Sequence, residues 1–317
     1  MRSGAVRGAL MQALWMLLGS FFFATMAVCV KIASAWFTPA ELIFYRGLLG
    51  MLFMWALARY SGVGLATAYP AMHAWRSLVG VVSLGAWFYA IAWLPLATAV
   101  TLNYMSSVWI AAFLVGGVLV AWNPREAGLA RPGTAGSILL QQGPLVLTVL
   151  AGFAGVVMML RPTIEQNQMF AGLVGLLSGM TAAFAYLQVM ALGKLGEPES
   201  RTVFYFALGS AAAGGVAMLL GGASPWHWQH ALWLLPVGIL ASLGQLCITR
   251  AYSQGATLVV ANLQYAGIVF GALYSVLLFG DEIPPVGWAG MGLICVSGIA
   301  ATVLRARAVP SAPAEEH

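Results

Sequence analysis

Ala97-Thr98-Ala99-Val100-Thr101-Leu102-Asn103 returns 159 positions later as Ala256-Thr257-Leu258-Val259-Val260-Ala261-Asn262. Phe44-Tyr45 returns as Phe204-Tyr205 at an offset of 160, and a glycine-rich stretch precedes the Ala-Thr pair both times. A nearly constant offset across separate phrases marks an internal duplication, and a duplication governs the architecture.

What is duplicated is apolar. Of 317 residues 61% are hydrophobic and only 7% are charged, with a mean hydropathy of +0.89. Soluble domains carry about 25% charged residues, so this chain cannot clothe a water-facing surface. A soluble enzyme, a nucleic-acid binder and a disordered protein are excluded together. The formal net charge of +5 reflects where 14 basic residues sit rather than a surface for polyanions. A membrane helix needs about 20 mostly apolar residues. Breaks at charges, prolines and glycine-rich points give ten stretches: 12–34, 40–58, 73–94, 97–121, 144–160, 169–191, 202–221, 231–251, 256–279 and 285–304. They are too long, and lack the alternation, for barrel strands. Each copy then holds five spans, and an odd number turns the second copy upside down in the bilayer. The expected fold is an all-α integral membrane protein, ten transmembrane helices in a 5+5 inverted repeat. Residues 1–160 form the first repeat; residues 161–317 form the second with a short tail. Inverted repeats that meet at the bilayer midplane are a transporter architecture.

Lys and Arg in the loops set orientation. One side collects Arg2, Arg7, Arg59, Arg76, Arg125, Arg131, Lys194, Arg201, Arg250, Arg305 and Arg307, the other only Arg161, which puts both termini in the cytoplasm. Arg2 and Arg7 before an apolar run resemble a secretory signal, but the run from Ala13 to Val30 is long for a signal core and Lys31 separates it from the small residues. Cys29, Cys247 and Cys295 all lie in apolar spans, which suits packing better than disulfides.

Phe44-Tyr45-Arg46-Gly47-Leu48 with Gly50, Leu94-Pro95-Leu96-Ala97-Thr98-Ala99, and Leu277-Leu278-Phe279-Gly280-Asp281-Glu282 with Pro284 and the run from Gly287 to Gly298 resemble the drug/metabolite transporter superfamily in its EamA branch. The resemblance covers about residues 12–304. One departure is Asn123, where a symmetric pattern would put an acid to match Glu282. The resemblance implies a carrier of small metabolites, often outward, whose cavity is lined by spans one, three, four, six, eight and nine.

An ionisable group inside a span costs about 2.5–3.5 kcal/mol on insertion scales and is a functional candidate by default. Arg46 and Lys31 qualify. Arg46 can anchor a carboxylate or phosphate through its fork of donors, or it can be structural, pinning helix ends or pairing with Glu41. Lys31 can snorkel to the interface and pair with Glu41. Beyond Glu41 no Asp or Glu lies within a span, so a carboxylate proton relay lacks its residue. Walker-type GxxxxGK[ST], HExxH and GxSxG patterns are absent. No catalytic residue, metal ligand or cofactor is expected. Neutral polar and aromatic groups cluster instead. Ser83 and Trp87 lie on span three; Asn103, Tyr104, Ser107 and Trp109 on span four. Ser178, Thr181, Tyr186 and Gln188 lie on span six, Gln245 and Thr249 on span eight, and Asn262, Gln264 and Tyr265 on span nine. Interhelical hydrogen bonding is the competing role for each. The substrate-binding set read from these is Arg46, Trp87, Asn103, Tyr104, Ser107, Tyr186, Gln245, Asn262 and Tyr265. The expected function is a secondary transporter of amino-acid-like or aromatic metabolites in a bacterial-type inner or plasma membrane, working as exporter or exchanger. An importer of a vitamin or nucleoside-type cofactor is the alternative, and a lipid-handling protein the reading from another class. Expected partners are a small-molecule substrate and the lipid bilayer, not nucleic acid, with the chain a monomer or homodimer.

Overall fold

A computed structural model describes residues 2–121, 134–160, 166–253 and 262–308. Every regular element among them is helical: α1 (Arg2–Ala33), α2 (Pro39–Tyr60), α3 (Pro70–Trp93), α4 (Leu96–Tyr104), α5 (Ser106–Ala121), α6 (Thr134–Leu160), α7 (Gln166–Lys194), α8 (Glu199–Gly221), α9 (Trp228–Ala231), α10 (Leu234–Ser253), α11 (Ala266–Phe279) and α12 (Pro285–Ala308). Proline opens α2, α3 and α12, where its missing N–H costs nothing. Thr38 and Glu41 form a reciprocal capping box at the start of α2. Gly280, at φ +65°, ends α11 in the left-handed region that glycine adopts without strain.

Among the described residues, eight helical stretches are long and apolar enough to cross a membrane, and Gly143–Met159 and Ala266–Phe279 are shorter apolar helices. Apolar side chains face outward, with Leu219 88% and Leu220 85% exposed, while Arg46, Arg76, Ser83, Thr101, Ser178 and Gln245 are buried. This polarity suits lipid outside and polar groups inside. The protein is an all-helical, multi-pass membrane protein.

The strongest packing pairs α2 with α8, α6 with α12, α1 with α10 and α3 with α7, while α4 packs on α11. Small residues bring the axes close. A Cβ on Gly47 would stand 2.4 Å from the Ala211 backbone, and one on Gly155 2.8 Å from the Gly290 carbonyl.

The stretch expected as one helix over 97–121 is broken. α4 stops at Tyr104, the Met105 N–H turns back to Leu102 O at 3.3 Å, and α5 begins at Ser106. Tertiary contacts hold the break. Asn103 Nδ2 donates to Ser178 Oγ at 3.2 Å, and Gly179 sits so close that a Cβ there would be 2.4 Å from Leu102 O. A tight turn also precedes α11: the Tyr265 N–H donates to Asn262 O, and that of Gly267 to Gln264 O at 3.0 Å. The expected start of that span at 256 lies outside the described residues.

Polar fastenings gather at two ends. At one, Glu41 accepts from the Ser224 N–H and Oγ, both at 2.7 Å, and Lys31 Nζ donates to Leu94 O at 2.6 Å. Lys31 and Glu41 therefore do not pair, because each already serves a helix end. At the other end Glu197 accepts from Thr67 Oγ1 (3.0 Å) and Arg201 Nη1 (3.1 Å) and meets His73 Nε2 at 3.3 Å. Burial raises the Glu197 pKa, but those hydrogen bonds and the Arg201 charge outweigh it and hold the carboxyl below its ordinary value.

Candidate functional site

Inside the bundle lies a chamber with about 610 Å³ of space not filled by atoms, part of it continuous with solvent. The first half contributes Phe23 of α1, Arg46 of α2, Arg76, Gly80, Ser83, Leu84 and Trp87 of α3, and Asn103 and Tyr104 of α4. The second half contributes Ala182, Ala185 and Tyr186 of α7, Phe206 of α8 and Gln245 of α10. A smaller void beside it shares Arg46, Phe206 and Gln245.

Helical register aims these groups inward. Arg76, Gly80, Ser83 and Trp87 follow three- and four-residue steps along one face of α3. Ser83 Oγ donates to Ser178 O at 2.8 Å, tying that face to α7. Asn103 lies at the last turn of α4, so the helix break presents it to the chamber while its amide holds Ser178.

Six residues of the sequence-derived set thus meet on one chamber: Arg46, Trp87, Asn103, Tyr104, Tyr186 and Gln245. Of the other three, the Ser107 side chain lies outside the described residues, and two stand apart from the chamber. Asn262 stands off the lining, and its buried Oδ1 has no hydrogen-bond partner among the described residues. Tyr265 is 3% exposed and its ring packs against Gly298. Spans two and seven supply lining residues through Arg46 and Phe206, whereas α11 of span nine supplies none, which differs from the lining that the family resemblance implied.

In the sequence Arg76 looks like a loop charge, but the structure buries it. It is 4% exposed, inside α3, and its guanidinium carbon lies 3.9 Å from the centroid of the Phe206 ring. Arg46, 5% exposed, lies 5.0 Å from the same centroid. Room for Arg76 comes from Gly80, where a Cβ would stand 2.5 Å from Nη1. Among the described residues neither arginine has a carboxylate within ion-pair distance. The structural alternative of an Arg46–Glu41 pair is therefore not realised: Glu41 serves Thr38 and Ser224. The overlooked signal was sequence depth, since Pro70 is the natural helix start and puts Arg76 two turns inside.

A multi-pass helical bundle around a central chamber walled by polar and aromatic side chains is an arrangement that suits a membrane transporter. No family model matches the chain. The pseudopaline exporter CntI of Pseudomonas aeruginosa (strain PAO1) is 33% identical over 293 residues, covering 89% of this chain and 93% of the exporter. An uncharacterized transporter of Helicobacter pylori (strain J99) is 25% identical over 89% of this chain and 91% of its own. A riboflavin transporter of Rhizobium johnstonii is 26% identical over 90% and 89%. One solved crystal structure superposes with a TM-score of 0.62 at 19% identity, over 93% of this chain and 97% of the other, and shares the fold. The chain belongs to the family of membrane transporters that includes the pseudopaline exporter.

Proposed function

We propose that the protein is a secondary carrier of small organic metabolites, of the EamA branch of the drug/metabolite transporter superfamily, working by alternating access in a bacterial-type inner or plasma membrane. Residues 1–160 and 161–317 are its inverted five-span repeats, both termini are cytoplasmic, the chain does no covalent chemistry, and it acts as a monomer or homodimer. Number the spans so that α4 and α5 together are the fourth and α9 with α10 the eighth. Exchanging the halves then turns the α1·α10 contact into α7·α3, α1·α11 into α7·α4, and α2·α10 into α8·α3. The α2·α8, α4·α11 and α6·α12 contacts turn into themselves. This self-mapping packing is the observation that carries the reading. The turns at Met105 and Gln264 stand at the duplication offset, and the first of them breaks a helix, as carriers do at their sites. Loops 61–69 and 195–198 meet through Glu197 at one end, and loops 34–38 and 222–227 through Glu41 at the other, as the proposed topology requires.

Arg46, Trp87, Asn103, Tyr104, Tyr186 and Gln245 then form the substrate site, with Ser107, Asn262 and Tyr265 serving the turns around it. Export is favoured by the more similar relative, an exporter. Vitamin import is the second reading, favoured by the riboflavin transporters at 26% and 23% identity. Purified protein in liposomes preloaded with a metabolite panel should give saturable counterflow of one labelled compound class. Tyr186→Ala should cut that flux while the protein stays folded. Chemical conversion of a panel member, or no flux of any class by folded protein, would overturn the carrier reading.

A further inference from the structure

The chamber holds more donors than acceptors. Arg46 Nε, Arg76 Nε and Nη1, and Trp87 Nε1 are buried without a hydrogen-bond partner among the described residues. All four belong to residues that line the one chamber. Nearby acids are committed elsewhere: Glu41 to Thr38 and Ser224, Glu197 to Thr67, His73 and Arg201. The two guanidiniums share the Phe206 ring, at 5.0 and 3.9 Å from its centroid. Stacking on a ring relieves part of the cost of a buried cation, but it offers the N–H groups no acceptor. A buried donor left unsatisfied is costly, and a buried unpaired charge more so. Two like charges drawn to one ring, with free N–H groups beside a cavity, are completed by a ligand that brings acceptors and negative charge.

We propose that Arg46 and Arg76 are paired anchors for an organic anion carrying two acidic groups, carboxylate or phosphate, whose carbon skeleton lies against Phe206 and Trp87. This rests on the carrier reading above and names its substrate class. Two guanidiniums match two acidic groups in charge, and each can engage one through two parallel N–H···O bonds. Trp87 Nε1 supplies a further donor, and the aromatic walls hold the apolar stem. A zwitterion with a single carboxylate would leave one guanidinium bare.

The test separates binding from transport. Purified protein in detergent is titrated calorimetrically with glutarate, its monoamide and its diamide, and with propane-1,3-diol bisphosphate as the phosphate arm. Labelled glutarate and diamide counterflow are followed in liposomes. Binding should weaken at least about tenfold from glutarate to monoamide and again to diamide, the span of a lost charge-assisted hydrogen-bond pair. Arg46→Gln and Arg76→Gln should each weaken glutarate about tenfold and the uncharged diamide by a smaller factor. Arg76→Lys, which keeps the charge but not the fork, should fall between. Tighter binding of the bisphosphate than of glutarate would assign the anchors to phosphate. Anion binding without flux would sink the carrier reading and leave the anchors standing. Flux of the diamide, with no glutarate binding and no effect of either substitution, would overturn the anchors and leave the carrier standing.

Discussion

Two buried guanidiniums without counter-ions make the empty chamber hard to seal, so the carrier should exchange faster than it unloads. A lone arginine at the centre of a membrane helix costs about 2.5–3.5 kcal/mol on insertion scales. While the chamber joins solvent, water meets part of that cost for Arg46 and Arg76. Sealing it from both sides removes the water. Charging half of the insertion cost to each cation gives about 3 kcal/mol, or about a hundredfold in rate. A bound dianion pairs both charges, and the loaded carrier escapes that penalty. The assay uses liposomes loaded with unlabelled substrate under a potassium-valinomycin voltage clamp. Counterflow of label is compared with net efflux into substrate-free buffer. Counterflow should lead by about two orders of magnitude, and the double substitution Arg46→Gln, Arg76→Gln should bring the two rates together. Net efflux that keeps pace with counterflow in the unaltered protein would refute the reasoning, because the empty chamber would then close as readily as the full one.

A methyl group at Gly179 would stand 2.4 Å from Leu102 O at the break between α4 and α5, so Gly179→Ala should cost about 1–3 kcal/mol by overpacking. Its melting temperature and flux should both fall, whereas Gly292→Ala, with nothing within 4 Å, should change neither. Gly80→Ala places its Cβ 2.5 Å from Arg76 Nη1 and 2.8 Å from the Phe206 ring. It should raise half-saturation with little change in melting temperature; unchanged half-saturation would free Arg76 from substrate contact. The pKa of Glu197 is lowered on folding, so the stability it contributes is complete above the ordinary carboxylate pKa of about 4.3 and fades as pH falls below that toward the folded value. Melting curves from neutral pH downward should show this acid loss in the native protein and a shallower one in Glu197→Gln.

The all-helical, multi-pass character was legible because length and hydropathy suffice to find a membrane helix, and the caps at Thr38 and Gly280 follow local rules. The break at Met105 was not legible. No proline or glycine marks it, and the contacts that hold it, Asn103 with Ser178 and Gly179 against Leu102, come from a helix about 75 residues away in sequence, a separation no local propensity encodes. Six of the residues that line the chamber could be read because polar and aromatic groups inside apolar spans stand out. Arg76 was hidden by the rule that found the others: a basic residue near a span end looks like a loop charge that orients the protein. Moving it inside leaves the charge bias of the loops strong. Lys31 and Glu41 show the converse error, since short sequence separation suggested a pair while the carbonyls of Ala92 and Leu94 and the amide of Ser224 were nearer partners.

The proposed duplication also explains why the charged site is lopsided. At an offset of 160, Phe44-Tyr45-Arg46-Gly47 aligns with Phe204-Tyr205-Phe206-Ala207. Arg46 therefore packs against the ring that holds its own counterpart position. At 159 Arg76 answers to Leu235, which is 53% exposed. Both cations belong to the first copy, on the neighbouring helices α2 and α3, while Phe206 and Tyr186 come from the second. If the halves rock against each other, the arginines travel together and keep their spacing, but their stacking on Phe206 crosses the moving boundary. Cation–π contact is worth about 0.5–2 kcal/mol each, too little to lock the halves and enough to favour one arrangement. A second cation at 206 would have restored symmetry and put two like charges in direct contact. An aromatic ring there instead lets one half carry the charge and the other half cover it.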